Sequence, residues 1–123
     1  MAKMVPSPGR PVRGSTTGRP IMAAFDLLGR RWALRVLWEL RAGPLGFREL
    51  QHRCDAMSSS VLRDRLAELS VAGLVAKDDD DRHALTAMGD EMGPAFGPIN
   101  AWAERWARQL TGDVSPAPGT RDG

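Results

Sequence analysis

A chain of 123 residues that is 42% hydrophobic and 26% charged suits one domain with a single core, and it holds no apolar run of the roughly 18 residues that a membrane span needs. Its formal net charge of +2 hides an asymmetry: residues 1–19 carry four basic side chains and no acid, residues 30–65 carry eight arginines against four acids, and residues 66–123 carry ten acids against five bases. The N-terminal half can therefore face a polyanion, whereas the C-terminal half resists one.

Residues 1–19 mix Pro6, Pro8, Pro11, Gly9, Gly14 and Gly18 with basic side chains. This composition cannot pack a core and reads as a flexible basic arm, without the apolar stretch of a secretory leader. From 20 to 110 the pattern is mostly helical. Ile21, Ala24, Phe25 and Leu28 make a short stripe that ends at Gly29. Trp32, Val36, Leu37 and Leu40 make a second, which ends at Gly43-Pro44. Phe47, Leu50 and Cys54 line one face of a third helix over 46–54. After Asp55-Ala56-Met57, Ser58 offers an N-cap. Leu62, Leu66 and Leu69 then carry a fourth helix over 58–72 to a C-cap at Gly73. Short apolar runs on either side of the acidic turn Asp78–Asp81 predict a small β-hairpin. Thr86 can cap the last helical region, a long stripe of Met88, Met92, Phe96, Ile99, Trp102, Trp106 and Leu110. Gly93-Pro94 and Gly97-Pro98 interrupt that stripe and predict a segment over 87–92 and a main helix from 94 or 98 to 110. Residues 111–123 read as a flexible tail.

Two helices joined by three residues and followed at once by a hairpin predict a winged helix-turn-helix, mainly α with a small β-hairpin wing. In that arrangement the first residues of the second helix reach base edges of double-stranded DNA. Leu62, Leu66 and Leu69 face the core, which leaves Ser59, Ser60 and Arg63 outward. A serine hydroxyl can donate to or accept from several base edges, and Arg63 can fork onto a guanine. The free N–H groups behind Ser58 suit a phosphate oxygen.

At these residues the chain resembles the HxlR-type family of winged helix-turn-helix regulators, relatives of the MarR group. The resemblance is carried by Phe25-Asp26-Leu27-Leu28-Gly29-Arg30-Arg31-Trp32, Leu37-Trp38-Glu39-Leu40 and Gly43-Pro44-Leu45-Gly46-Phe47-Arg48-Glu49-Leu50. It continues through residues 57–69, Gly73-Leu74-Val75, and the Leu85-Thr86-Ala87-Met88-Gly89 entry to the last helix, with Pro94 and Trp102 beyond. It implies a homodimer on an inverted-repeat operator. It implies DNA contacts by Ser58, Ser59, Ser60 and Arg63, with Arg65 on phosphate or bracing the helix and Arg48 on the backbone. It also implies a dimer interface through the first and last helices, at Phe25, Leu28, Phe96, Ile99, Trp102 and Trp106. Two departures stand out. Pro20 and Ile21 occupy the region where many members carry a sensor cysteine. Asp78–Asp81 give the wing a charge that repels phosphate, which moves the expected supporting contacts to Arg48, Arg65, Arg82 and the basic arm.

Other features carry weaker expectations. The single cysteine, Cys54, excludes an internal disulfide and suits a reducing, cytoplasmic setting. It could act as a redox switch beside Arg53 and His52, but it shares a face with Phe47 and Leu50, which favours a buried thiol. His52, Cys54 and His83 lack the paired spacing of a metal site. Trp32, Trp38, Trp102 and Trp106, with Phe96 and Met92, could line a pocket for a flat aromatic effector, though ordinary core and dimer packing explains them as well. No nucleophile–base pair or phosphate loop points to an enzyme or a cofactor. The competing reading is an effector- or protein-binding winged module with weak DNA affinity, which the acidic wing motivates.

Overall fold

The computed structural model describes residues 5–12, 16 and 18–112. Parts of the expected arm (1–4, 13–15 and 17) and of the expected tail (113–123) lie outside the described residues. The chain divides into two compact units, Met1–Asp90 and Glu91–Gly123, so the span 20–110 is cut after Asp90. Among the described residues no helix is long and apolar enough to cross a membrane.

The first unit holds helices α1 (Pro20–Leu28), α2 (Ala33–Leu40), α3 (Phe47–Arg53) and α4 (Ser59–Val71), strands β1 (Val75–Lys77) and β2 (His83–Leu85), and the short α5 (Ala87–Asp90). Its core follows the predicted stripes of α2, α3 and α4, whereas α1 buries Ala23 and Leu27 and leaves Ile21 and Phe25 of its expected stripe exposed. Val36, Leu37 and Leu40 of α2, Leu50 of α3 and Leu62, Leu66 and Leu69 of α4 are buried, with Leu45, Cys54, Met57 and Val75 between them. Within the expected arm, the Gly9 N–H donates to the Gly18 carbonyl. Val5, Pro6 and Val12 line a recess together with Asp26 and Arg30.

Helix α4 is bounded as its sequence demands. The Ser58 hydroxyl accepts from the Val61 N–H at 3.3 Å. At the other end Gly73 adopts φ +83°, and the Gly73 and Leu74 N–H groups return to the Ser70 and Leu69 carbonyls. That pair of bonds is a Schellman closure, and its left-handed residue is why glycine stands there.

The link between α3 and α4 is tighter than sequence suggested. Asp55 and Ala56 both lie in the left-handed region, at φ +60° and +56°, a conformation that costs a non-glycine residue about 1–3 kcal/mol and persists only when its surroundings enforce it. Arg35 of α2 supplies much of that enforcement. Its Nε donates to Glu39 at 2.9 Å, its Nη1 to Asp55 at 3.0 Å and its Nη2 to the Arg53 carbonyl. The bonded carboxylates, Glu39 foremost, raise the pKa of this guanidinium and keep it charged. From the other side Gln51 Nε2 donates to the Met57 carbonyl at 2.8 Å.

The wing is an antiparallel pair with Val75 opposite Leu85, Ala76 opposite Ala84 and Lys77 opposite His83. Leu45 extends it by one bridge, exchanging both backbone bonds with His83 at 2.8 and 2.9 Å. The hairpin is thereby stitched to the segment that leads into α3. Thr86 caps α5 through the Gly89 N–H and donates to the Gly73 carbonyl. Gly89 is buried, and a Cβ there would stand 2.2 Å from the Leu74 carbonyl oxygen.

The second unit is built on α6 (Gly93–Thr111), with Pro94 in its first turn and Pro98 inside it. Of the two expected starts, 94 and 98, the helix takes the first and runs through Gly97-Pro98. Pro98 lies close to the helix start, so its missing N–H removes one bond, to the Pro94 carbonyl, and the following turns continue.

These contacts set the expected effect of two substitutions on stability. Gly89→Ala forces backbone apart at Leu74 and should destabilise the fold by about 1–3 kcal/mol; a thermal midpoint at or above wild type would contradict the close approach. Arg35→Met should cost about 1–2 kcal/mol, because it leaves a strained turn without its charged donor, and should speed amide hydrogen exchange at residues 55–57 ahead of the α2 core.

Candidate nucleic-acid interface

The exposed end of α4 presents Ser58, Ser59, Ser60 and Arg63 to solvent. Ser58 is committed to the cap and shares a hydroxyl contact with Ser60 at 3.0 Å. Ser59 and Ser60 begin the helix, where backbone N–H groups have no intrahelical partner and the helix dipole favours an anion. Arg63 meets no carboxylate among the described residues. Its guanidinium lies over the Phe47 ring, 4.9 Å from the centroid. A stacked arginine keeps its charge and its fork of donors while losing rotamer freedom in advance. Arg48, on α3, is likewise exposed and makes no ion pair among the described residues.

Two arginines expected on DNA are engaged elsewhere. Arg65 turns inward, with a side chain only 14% exposed, and pairs with Glu68. Glu68 is itself 6% exposed and also faces Arg30 Nη1 at 3.1 Å. Of the two roles expected for Arg65, the geometry is that of bracing: it ties α4 to the link between α1 and α2, and a phosphate contact by this side chain is corrected. The physical reason is the cost of leaving a buried carboxylate unpaired. Arg82 lies 3.4 Å from both Asp78 and Asp80. Its side chain is 47% exposed, and surface pairs of this kind leave a guanidinium available to a better partner.

The acidic turn is ordered by its first residue. Asp78 Oδ1 accepts from the Asp80 and Arg82 N–H groups, both at 2.9 Å. These backbone bonds, that of Arg82 first, hold the Asp78 carboxyl below its ordinary range. Asp79, Asp80 and Asp81 are exposed at the tip.

Cys54 is fully buried, 0% exposed. Burial pushes its thiol up and outweighs the opposing pull of Arg35. A redox role needs an accessible thiolate, so the burial fits the buried thiol favoured from sequence and speaks against the alternative of a switch.

The residues expected at a dimer interface or effector pocket fall into the two units. In the first, Phe25 is exposed and Leu28 and Trp32 are half-buried; Trp32 caps α2 in the left-handed conformation, φ +77°. The Arg41 guanidinium lies over Trp38, 3.5 Å from the ring centroid. In the second unit Phe96 is buried, whereas Ile99, Trp102 and Trp106 are exposed, and the two tryptophan rings stack at 5.3 Å. Sequence reasoning passed over Arg35, Glu68 and Leu45. A charged residue among the α4 leucines, three places after an arginine, was the available signal for Glu68.

Comparison with known proteins agrees with this architecture. The family model described as HxlR-like helix-turn-helix matches residues 27–111. The uncharacterised HTH-type transcriptional regulator YvaP of Bacillus subtilis (strain 168) is 32% identical over 89 residues, covering 68% of this chain and 82% of that protein. The HTH-type transcriptional regulator YodB of the same organism is 28% identical over 99 residues, covering 76% of this chain and 88% of that one. A crystal structure of quinone-bound YodB superimposes with a TM-score of 0.64 and 30% identity, over 69% of this chain and 96% of that one. Family, relatives and fold are those of DNA-binding regulators rather than enzymes. The chain belongs to the HxlR-like helix-turn-helix family of transcriptional regulators.

Proposed function

We propose that this regulator binds an inverted-repeat DNA operator as a homodimer, with the start of α4 in the major groove. The observation that carries the reading is the outward end of α4. Ser59 and Ser60 are exposed at the helix start, and Arg63 is stacked on Phe47 with its donors uncommitted to any carboxylate among the described residues. Arg48 supplies a backbone contact from α3. The dimer reading rests on apolar side chains that a lone chain leaves in water. Ile21 and Phe25 in the first unit, and Ile99, Trp102, Trp106 and Leu110 in the second, are each about half exposed or more. Surface of this kind calls for a partner, and a second copy meets it by symmetry.

For control, the quinone-bound YodB supports a small aromatic effector for this chain too. The exposed, stacked Trp102 and Trp106 rings are suited to such a molecule. A redox signal read by Cys54 is not part of the proposal, given its burial.

The test is a mobility shift on duplexes selected from a genomic pool by the purified protein. Arg63→Ala should weaken the selected duplex by about 1–3 kcal/mol and relax preference at one position in each half-site. Wild-type affinity in that variant would remove α4 as the reading helix. Weak, sequence-indifferent binding by the wild type would instead favour a winged module that has lost its operator, as the acidic wing tip would allow. Cys54 should resist a disulfide-exchange reagent in the native protein and react only on unfolding. Rapid native labelling, with loss of DNA binding, would restore a thiol switch.

A further inference from the structure

Between α4 and the wing lies a groove that Arg63 borders on one side. Its floor is apolar, made by the Phe47 ring and Leu66. Its walls carry Ser70 from α4, Lys77 from the end of β1 and His83 from the start of β2, the last two opposite each other in register. The His83 and Phe47 ring centroids are 6.3 Å apart, tilted by 58°. The His83 backbone is pinned on both sides by Leu45, so the imidazole is held in place. Arg63 reaches the same aromatic patch from α4. Three nitrogen-bearing side chains thus converge, and none of the described residues lining the groove is acidic. Asp81 touches Lys77 from outside at 3.2 Å, but these side chains are 56% and 82% exposed, and such surface pairs contribute little and give way to a better partner.

The position of the groove says what would fill it, if α4 binds DNA as proposed above. The major groove is bordered by sugar–phosphate strands. A helix within it and a hairpin beside it straddle one of them, so that strand must cross the cleft between helix and hairpin. The wing offers that strand two different surfaces. Its tip, with Asp79, Asp80 and Asp81 exposed, repels phosphate; its root, with Lys77 and His83, attracts it.

We propose that the groove at the wing root is a seat for a DNA backbone phosphate. Lys77 supplies the charge, the His83 ring and Ser70 supply hydrogen-bond donors, and the wing tip stays off the duplex. Burial, and Lys77 nearby, keep the His83 imidazole below its usual range. Near neutral pH it is therefore an N–H donor beside a cation, which suits a single negative charge.

Affinity of the full chain is measured against KCl on a selected duplex and on an unrelated one. Lys77→Gln should weaken both by the same factor, about three- to tenfold at moderate salt, and lower the slope of log affinity on log salt by about one. Lys77→Arg should restore the slope. His83→Gln should weaken both duplexes and leave the slope near wild type. Asp79→Asn with Asp80→Asn should strengthen both modestly. A loss confined to the selected duplex would make these residues base readers and overturn the seat. So would an unchanged slope and affinity in Lys77→Gln while the wild type binds DNA normally. Saturable binding of benzoate that Lys77→Gln abolishes, with DNA binding untouched, would assign the groove to a small ligand instead. If the wild type binds no duplex, the DNA reading itself falls and the seat falls with it.

Discussion

The position of α4 depends on one buried carboxylate. Glu68 lies between the guanidinium groups of Arg65, on its own helix, and Arg30, in the link that leads into α2. The leucines of α4 drive the helix onto the core, but apolar attraction has no direction, and a leucine stripe tolerates small slides and rotations. A charge removed from water tolerates neither. Any motion that pulls Glu68 from its partners exposes an uncompensated ion to a low-dielectric interior, at a cost of several kcal/mol. The ionic contact therefore acts as an index pin for a helix whose affinity for the core comes from elsewhere. Arg35 plays the corresponding part before the start of α4, where it holds Asp55 and the Arg53 carbonyl of the strained turn.

Both pins use arginine, and this explains why net charge was a blunt guide. Eight arginines lie between residues 30 and 65, and together they suggest a broad basic face. Arg30, Arg35 and Arg65 are turned to internal acids, and Arg53 lies 3.4 Å from Glu49 on the same helix. Arg31, Arg41 and Arg63 lie over the rings of Trp32, Trp38 and Phe47, and these three with Arg48 have no ion pair among the described residues. The surface that meets an anion is narrower than the composition implies, and it is set by which guanidinium groups the fold has already engaged.

Most of the architecture was legible in the sequence because it rests on periodicity and local chemistry. Leucine spacing, the Ser58 cap, the Gly73 stop and the paired short runs of the wing are short-range signals, and the structure carries each of them. What was not legible depends on pairs far apart in the chain. The Glu68–Arg30 contact, the Arg35–Asp55 clamp and the Leu45–His83 bridge join residues that periodicity cannot relate. The same limit left the two roles of Arg65 open, where the fold turns it inward to Glu68. Pro98 left two helix starts open, at 94 and 98, because a proline removes one bond without fixing whether the neighbouring turns hold.

The acidic turn of the wing also bears on how such a regulator searches a genome. Asp78 shapes that turn by accepting two backbone N–H groups, with Asp81 in the left-handed region at φ +63°, and the exposed carboxylates of Asp79 and Asp80 add charge. Shape and charge are thus separable at this point of the molecule. A cell offers about 10⁶–10⁹ stretches of unrelated duplex for every operator, and sequence-blind attraction to them sequesters a DNA-binding protein. An acidic tip lowers that attraction at every site alike. Single substitutions at Asp79 or Asp80 can retune it at little cost to the hairpin, so the balance between occupancy of the right site and loss to the wrong ones can drift independently of the fold.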